Sequence, residues 1–143
     1  MSVSPSPPRR VSFPIALLTQ AAAGLIVGAA LAALLGVGSF YVLRGWASQA
    51  NIELGLVAIQ VYLALLGFAI GAALGVSFVG RRLGYGGSVA LALLAGVVGI
   101  ILAALAIRFG GRGSAIPAQV GLGVLAALAL TLLGYHIRRK ETL

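Results

Sequence analysis

The stretch Leu54–Gly80, LGLVAIQVYLALLGFAIGAALGVSFVG, carries no charged side chain and is almost wholly apolar. About 20 apolar residues, each rising about 1.5 Å along a helix, match the roughly 30 Å hydrocarbon core of a bilayer. In hydrocarbon a segment must satisfy its own backbone hydrogen bonds, and a helix does so. The stretch therefore predicts a transmembrane helix.

Three further stretches have the same character: Val11–Leu43, Leu83–Ile107 and Gly113–Ile137 also lack charged residues. The four together predict an all-α integral membrane protein, a bundle of four transmembrane helices with short loops. We expect one membrane domain at 13–137, with spans at about 13–43, 54–80, 86–107 and 117–137. A disordered cytoplasmic tail at 1–12 and a basic cytoplasmic tail at 138–143 are expected on either side of it.

The composition excludes several classes of protein. Of the 143 residues, 61% are hydrophobic and only 8% are charged, which is too few polar side chains to build the surface of a soluble domain. The spans leave no room for a separate catalytic module. The net charge of +8 arises because acids are nearly absent, Glu53 and Glu141 being the only two, so it does not indicate nucleic-acid binding. Cysteine is absent, which excludes disulfides and thiolate metal sites.

The basic residues predict the orientation, because arginine and lysine are retained on the cytoplasmic side during insertion. Arg44, Arg108 and Arg112 are expected outside. More basic residues are expected inside, where they set the orientation and contact lipid headgroups: Arg9, Arg10, Arg81, Arg82, Arg138, Arg139 and Lys140. The chain is therefore expected to cross the plasma membrane several times, with both termini in the cytoplasm. The Ala, Gly and Leu bias favours a bacterial inner membrane.

Aromatic residues and the N-terminus support this arrangement. Rings are expected at headgroup depth, on the inner side Phe13, Phe78, Tyr85 and Tyr135, and on the outer side Phe40, Tyr41, Trp46 and Phe109. A cleaved signal ending near Ala21–Ala23 is the alternative for the first span. Its apolar run continues to Leu43, longer than the roughly 7 to 15 residues of a signal core, which favours a retained anchor.

The connections are expected to be short. The longest is an outer loop at Arg44–Ile52, in which Asn51 would cap the second helix and Glu53 would occupy its first turn. A tight cytoplasmic turn is expected at Arg81–Gly87, and a glycine-rich loop at Arg108–Ile116 before Pro117 starts the fourth span.

Small residues recur every four positions and form ridges on the predicted helices. Such ridges let helix backbones approach closely in lipid, as in a glycine zipper. The ridges predict helix-packing positions at Gly24, Gly28, Gly36, Gly67, Gly71, Gly75 and Gly99. Packing within the chain accounts for them, and docking of partner helices, with the second span as the docking face, is the alternative.

Polar residues inside the spans are few. Gln20, Gln60, Tyr62 and Thr131 are candidates to line a path for an uncharged solute, although their expected depths differ. Proton and cation pumps place ionisable groups deep in the membrane, and here Glu53 and His136 lie at span ends. We interpret Glu53 as a helix-start carboxylate and His136 as an interfacial side chain rather than a metal ligand or pH sensor.

These observations predict a non-catalytic small membrane subunit that packs into a larger complex through its Gly/Ala faces. It is expected to bind no metal or cofactor and no nucleic acid, and its partners would be the lipid bilayer and either other integral membrane subunits or further copies of itself. The alternative function is a homo-oligomeric small channel or transporter for a neutral or lipophilic solute. A lipid-binding regulator or assembly factor is a third possibility.

Overall fold

The computed structural model describes residues 12–50, 53–109 and 116–137, and the side chains within these ranges except those of 46–50, 53–58, 103, 106–109 and 116–120. Over these ranges the chain is all-helical and contains no strand. The four helices are α1 (Phe13–Ala50), α2 (Glu53–Arg82), α3 (Val89–Phe109) and α4 (Ile116–His136). Arg9, Arg10, Asn51, Arg112, Arg138, Arg139, Lys140 and Glu141 lie outside the described residues.

The helices begin close to the expected positions, but the expected outer loop is wrong for most of its length. The chain remains helical from Arg44 to Ala50 instead of forming a loop. This segment, RGWASQA, contains no proline, and its single glycine, Gly45, costs a helix only about 1 kcal/mol relative to alanine. The first helix therefore extends beyond the apolar run that predicted it.

The turn between α2 and α3 has a defined geometry. Tyr85 N–H donates to Gly80 O (2.9 Å) and Gly84 N–H donates to Arg81 O (3.1 Å), which is the Schellman arrangement for ending a helix. Gly84 has φ +77°, a conformation that side-chain-bearing residues rarely adopt. Ser88 then accepts a long hydrogen bond from Leu91 N–H (3.4 Å) at the start of α3.

The molecule is built from two antiparallel helix pairs. α1 packs along α2, and α3 packs along α4, while α2 also contacts α3 and α4. α1 touches α4 over a smaller area and, among the described residues, has no contact with α3. α2 is therefore the central helix and α1 lies at the edge.

The core lies where α2 meets α4 and is built largely from small side chains. Its largest buried members are Phe68, Leu128, Leu132 and Tyr135, and the remainder are alanines and Val76. Alanines at the contacts bring the helices close together and leave the bulky aliphatic side chains pointing outward. Many leucines, isoleucines and valines are consequently more than one-third exposed.

Two helices are long and apolar enough to cross a membrane, over Phe13–Gly45 in α1 and Ile59–Arg82 in α2. They differ in how much the rest of the chain covers them. Buried residues make up 56% of the apolar window in α2 but only 11% of the window in α1. In α3 and α4 the apolar stretches with described side chains are shorter, Val89–Leu102 and Gly121–His136.

Candidate functional site

A buried polar cluster lies at the end of the bundle where α1 begins and α4 ends. Gln20, on the second turn of α1, is fully buried. Its Oε1 lies 3.0 Å from Nε2 of His136, the last residue of α4. An amide oxygen only accepts hydrogen bonds, so in this pair the imidazole donates from Nε2. The bond joins the two helices across 116 positions of the chain.

Tyr135 ties the same end of α4 to the turn between α2 and α3. Its hydroxyl donates to the backbone oxygen of Tyr85 at 2.8 Å, and its side chain is fully buried. Two glycines make room for the ring. A Cβ at Gly80 would lie 2.5 Å from the Tyr135 hydroxyl, and one at Gly87 would lie 2.6 Å from the ring. The turn can therefore close over Tyr135 only because these positions have no side chain.

Aromatic rings surround the imidazole of His136. The ring centroids of Tyr135, Phe13 and Tyr85 lie 5.3, 5.8 and 6.3 Å from it, all in edge-to-face arrangements. Phe13 and Tyr85 also contact each other at 6.1 Å. Edge-to-face pairs at these separations are favourable. The cluster joins the start of α1, the turn before α3 and the end of α4.

Two buried polar atoms near this end, Nε2 of Gln20 and Oγ of Ser77, have no hydrogen-bond partner among the residues that the structure describes. A buried unsatisfied donor costs about 1–3 kcal/mol. Thr131, also fully buried, satisfies its hydroxyl by donating to Ala127 O at 2.8 Å within α4. The cluster therefore keeps unused hydrogen-bonding capacity in an otherwise apolar interior.

The described side chains of the cluster are hydrogen-bonding groups. The cluster contains an amide, an imidazole, phenols and a hydroxyl, and within the described part of the chain neither a carboxylate nor a thiol joins it. Over the same described residues no three His, Asp or Glu side chains come together to hold a metal ion. The cluster's hydrogen bonds join the start of α1 and the turn before α3 to the end of α4.

The four candidate lining residues do not lie at one depth. Gln20 is seven positions, or about 10 Å, from the start of α1. Tyr62 is 20 positions, or about 30 Å, from the end of α2 that packs beside the start of α1, and it is 64% exposed. Gln60 is half-buried near Tyr62, and Thr131 is buried between α3 and α4.

The predicted helix-packing glycines lie at contacts within the chain. A Cβ built at Gly67, Gly71 or Gly75 would lie 2.5–2.7 Å from a backbone oxygen of α1, those of Leu31, Val27 and Ala23 in turn. On α1, Cβ atoms at Gly24, Gly28 and Gly36 would lie 2.9–3.1 Å from Val76, Phe68 and Ala64. One at Gly99 would lie 2.5 Å from Ala127 Cα, between α3 and α4.

Of the basic residues expected on the inner side, the structure describes two. Arg81 and Arg82 form the last turn of α2 and are exposed, where positive charge complements the helix dipole. The Arg82 guanidinium carbon lies 5.3 Å from the centre of the Phe78 ring. Arg81 lies on a different side of α2, near enough to Tyr135 for a Coulombic interaction.

Sequence reasoning missed the partnership of Gln20 and His136 and the roles of Gly80 and Gly87. The expected depth in the membrane could have suggested that Gln20 and His136 pair, because both residues were expected on the cytoplasmic side of the bundle. The sequence did not assign these roles to the glycines, because neither belongs to a predicted small-residue ridge and their partner, Tyr135, is distant in sequence. Comparison of this chain with protein-family models, with curated proteins and with solved structures finds no match.

Proposed function

We propose that this chain is a multi-pass protein of a plasma membrane and serves as a non-catalytic subunit of a larger membrane assembly. One observation carries the proposal. α1 is apolar on all sides, which is typical of a helix surrounded by apolar material, yet the chain itself buries only 11% of its apolar window. Lipid and a partner helix are the surroundings that fit it.

The lengths of the other helices support the membrane placement. α3 and α4 have 21 residues each, a rise of about 31 Å, which is close to the thickness of a hydrocarbon core. Four crossings bring both termini to one side. The side that holds Arg81 and Arg82 is the cytoplasm, since basic residues favour that side.

The partner docks on an outward surface rather than on the glycine ridges of α1 and α2, because those ridges meet each other. We name Ile15, Ile26 and Val37 the α1 outer face. They recur every eleven residues, about three helical turns, and are 57%, 67% and 56% exposed. Their side chains would contact a transmembrane helix of the partner through van der Waals packing.

A photocrosslinking amino acid placed singly at Ile26 and at Val37, in cells, tests the proposal. Leu133 on α4, 61% exposed, is the matched control. We expect a discrete adduct heavier than the 14.4 kDa chain from both α1 positions and none from Leu133. Lipid adducts alone would overturn the proposal. An adduct of twice the chain mass would replace it by a homo-oligomer.

A further inference from the structure

The α1–α2 pair carries an apolar groove on its outer side. Ala23 and Val27 of α1 and Leu74, Gly75, Phe78 and Val79 of α2 line a cavity of about 360 Å³. It opens outward, since Leu74 and Phe78 are 48% and 63% exposed. The groove exists because Gly75 meets the backbone of Ala23 directly, so neither residue fills the space beside the contact.

Among the described residues, one cation, Arg82, lies at an end of this groove. Arg82 lies one turn beyond Phe78, with its guanidinium carbon 5.3 Å from the ring centre. It is exposed and forms no ion pair with any residue that the structure describes. Glu53 begins the same helix, 29 positions or about 43 Å away, and so cannot neutralise it.

We propose that this groove binds one acyl chain of an anionic phospholipid, with Arg82 binding the phosphate. The proposal rests on the membrane placement proposed above. Arg82 is about 6 Å beyond Phe78 along the helix, and the headgroup layer extends roughly 5–8 Å beyond the hydrocarbon on each side. The cation therefore lies at headgroup depth when the groove lies at acyl-chain depth.

The lining and the neighbouring cation together favour a lipid. Every residue that lines the groove is apolar, so the groove suits a hydrocarbon chain. The guanidinium of Arg82 can bind phosphate oxygens through paired N–H donors. An acyl chain joined to a phosphate matches both features, so the apolar lining and the charge select the same ligand.

Native mass spectrometry of the full chain in mild detergent tests this site by titration with phosphatidylglycerol and with phosphatidylcholine of identical acyl chains. We expect tighter binding of phosphatidylglycerol. Arg82→Gln should weaken that binding by about fivefold, the effect of one basic residue near an anionic lipid. Arg82→Lys should retain most of it, because the charge is kept.

Arg44→Gln is the matched control, because Arg44 also lies over a ring, Phe40, at 5.7 Å, but at the opposite end of α1 and away from the groove. It should leave the binding unchanged. Val27→Phe, and Leu74→Trp as a second variant if the first misfolds, should fill the groove and abolish the preference for phosphatidylglycerol.

Three results would overturn the site: equal binding of the two lipids, equal losses in Arg82→Gln and Arg44→Gln, or a preference for phosphatidylglycerol that persists when the groove is filled. A dimer that Val27→Phe removes would mean that a second copy occupies the groove instead. The titration uses the isolated chain, so missing partner crosslinks at Ile26 and Val37 would not change its result. Loss of the lipid preference would likewise leave those crosslinks unchanged.

Discussion

Single glycines set the distance between α1 and α2. At Gly71 a Cβ would lie 2.5 Å from Val27 O and 2.8 Å from Gly28 Cα, and both contacts are to backbone atoms that cannot rotate away. A glycine on the outer surface of the helix pair has room for a Cβ. At Gly38 a Cβ would meet nothing within 4 Å. Two glycines in one helix pair therefore respond in opposite ways to the same substitution.

We predict that Gly71→Ala destabilises the protein by about 1–3 kcal/mol, since overpacking forces the helices apart. Gly38→Ala should be neutral or stabilising by up to about 1 kcal/mol, because alanine favours helix. Free energies of unfolding in mixed micelles with rising dodecyl sulfate measure both changes. Equal effects of the two substitutions would show that α1 and α2 do not pack as described.

The bond between Gln20 and His136 predicts coupling between two distant positions. His136→Phe should cost about 1–3 kcal/mol, because it leaves the buried amide of Gln20 without its partner. Adding Gln20→Leu should recover part of that loss. A double-mutant cycle of unfolding free energies should give a coupling near the ~0.6 kcal/mol mean for membrane hydrogen bonds, up to about 1.7. Additive losses would contradict the pairing.

At the scale of elements, the turn between α2 and α3 depends on one backbone conformation. Gly84→Ala should destabilise the protein by about 1–2 kcal/mol, since Gly84 has φ +77° and a Cβ disfavours that region. Gly86→Ala is the control, because a Cβ there meets nothing within 4 Å and Gly86 has no positive φ. Thermal unfolding followed by circular dichroism compares the two. A larger loss for Gly86→Ala would mean that the turn ends differently.

Tyr135 holds α4 against the same turn. Tyr135→Phe removes the 2.8 Å bond to Tyr85 O and should cost about 0.5–1.5 kcal/mol. Hydrogen exchange at residues 83–88 should become faster, because that bond spans 50 positions and links the two helix pairs. Tyr62→Phe, at an exposed ring, should change neither quantity. Unchanged exchange in Tyr135→Phe would show that the turn is held by other contacts.

At the scale of the whole molecule, the membrane placement predicts which sites face each side. The chain has no cysteine, so single cysteines report without background. Gly45 and Gly86 suit the test, because a Cβ at either meets nothing within 4 Å. In sealed right-side-out vesicles an impermeant maleimide should label Gly45→Cys, and should label Gly86→Cys only after the vesicles are opened. Labelling of both from one side would overturn the topology.

The length of α1 is a whole-molecule property with a geometric consequence. Its 38 residues rise about 57 Å, which exceeds the roughly 40–45 Å of a bilayer with its headgroups. With the membrane placement proposed above, a helix of this length would tilt or project from the membrane. The apolar run predicted an end near Leu43, because hydropathy reports the preferred medium of a segment and does not report where a helix ends.

The amino-acid sequence alone determined the helical class, the approximate start of each helix, the small-residue ridges and the presence of a tight turn between α2 and α3, although α2 ends at Arg82 and not before Arg81. These follow from local properties of the sequence, namely the hydropathy of its residues, the recurrence of small residues every four positions, and the glycine content of the turn. Only the tertiary structure decided that the α1 and α2 ridges meet each other, that Gln20 pairs with His136, and that Gly80 and Gly87 enclose Tyr135. Those contacts join residues far apart in the chain, and a uniformly apolar helix has no amphipathic pattern that selects which side faces its neighbours.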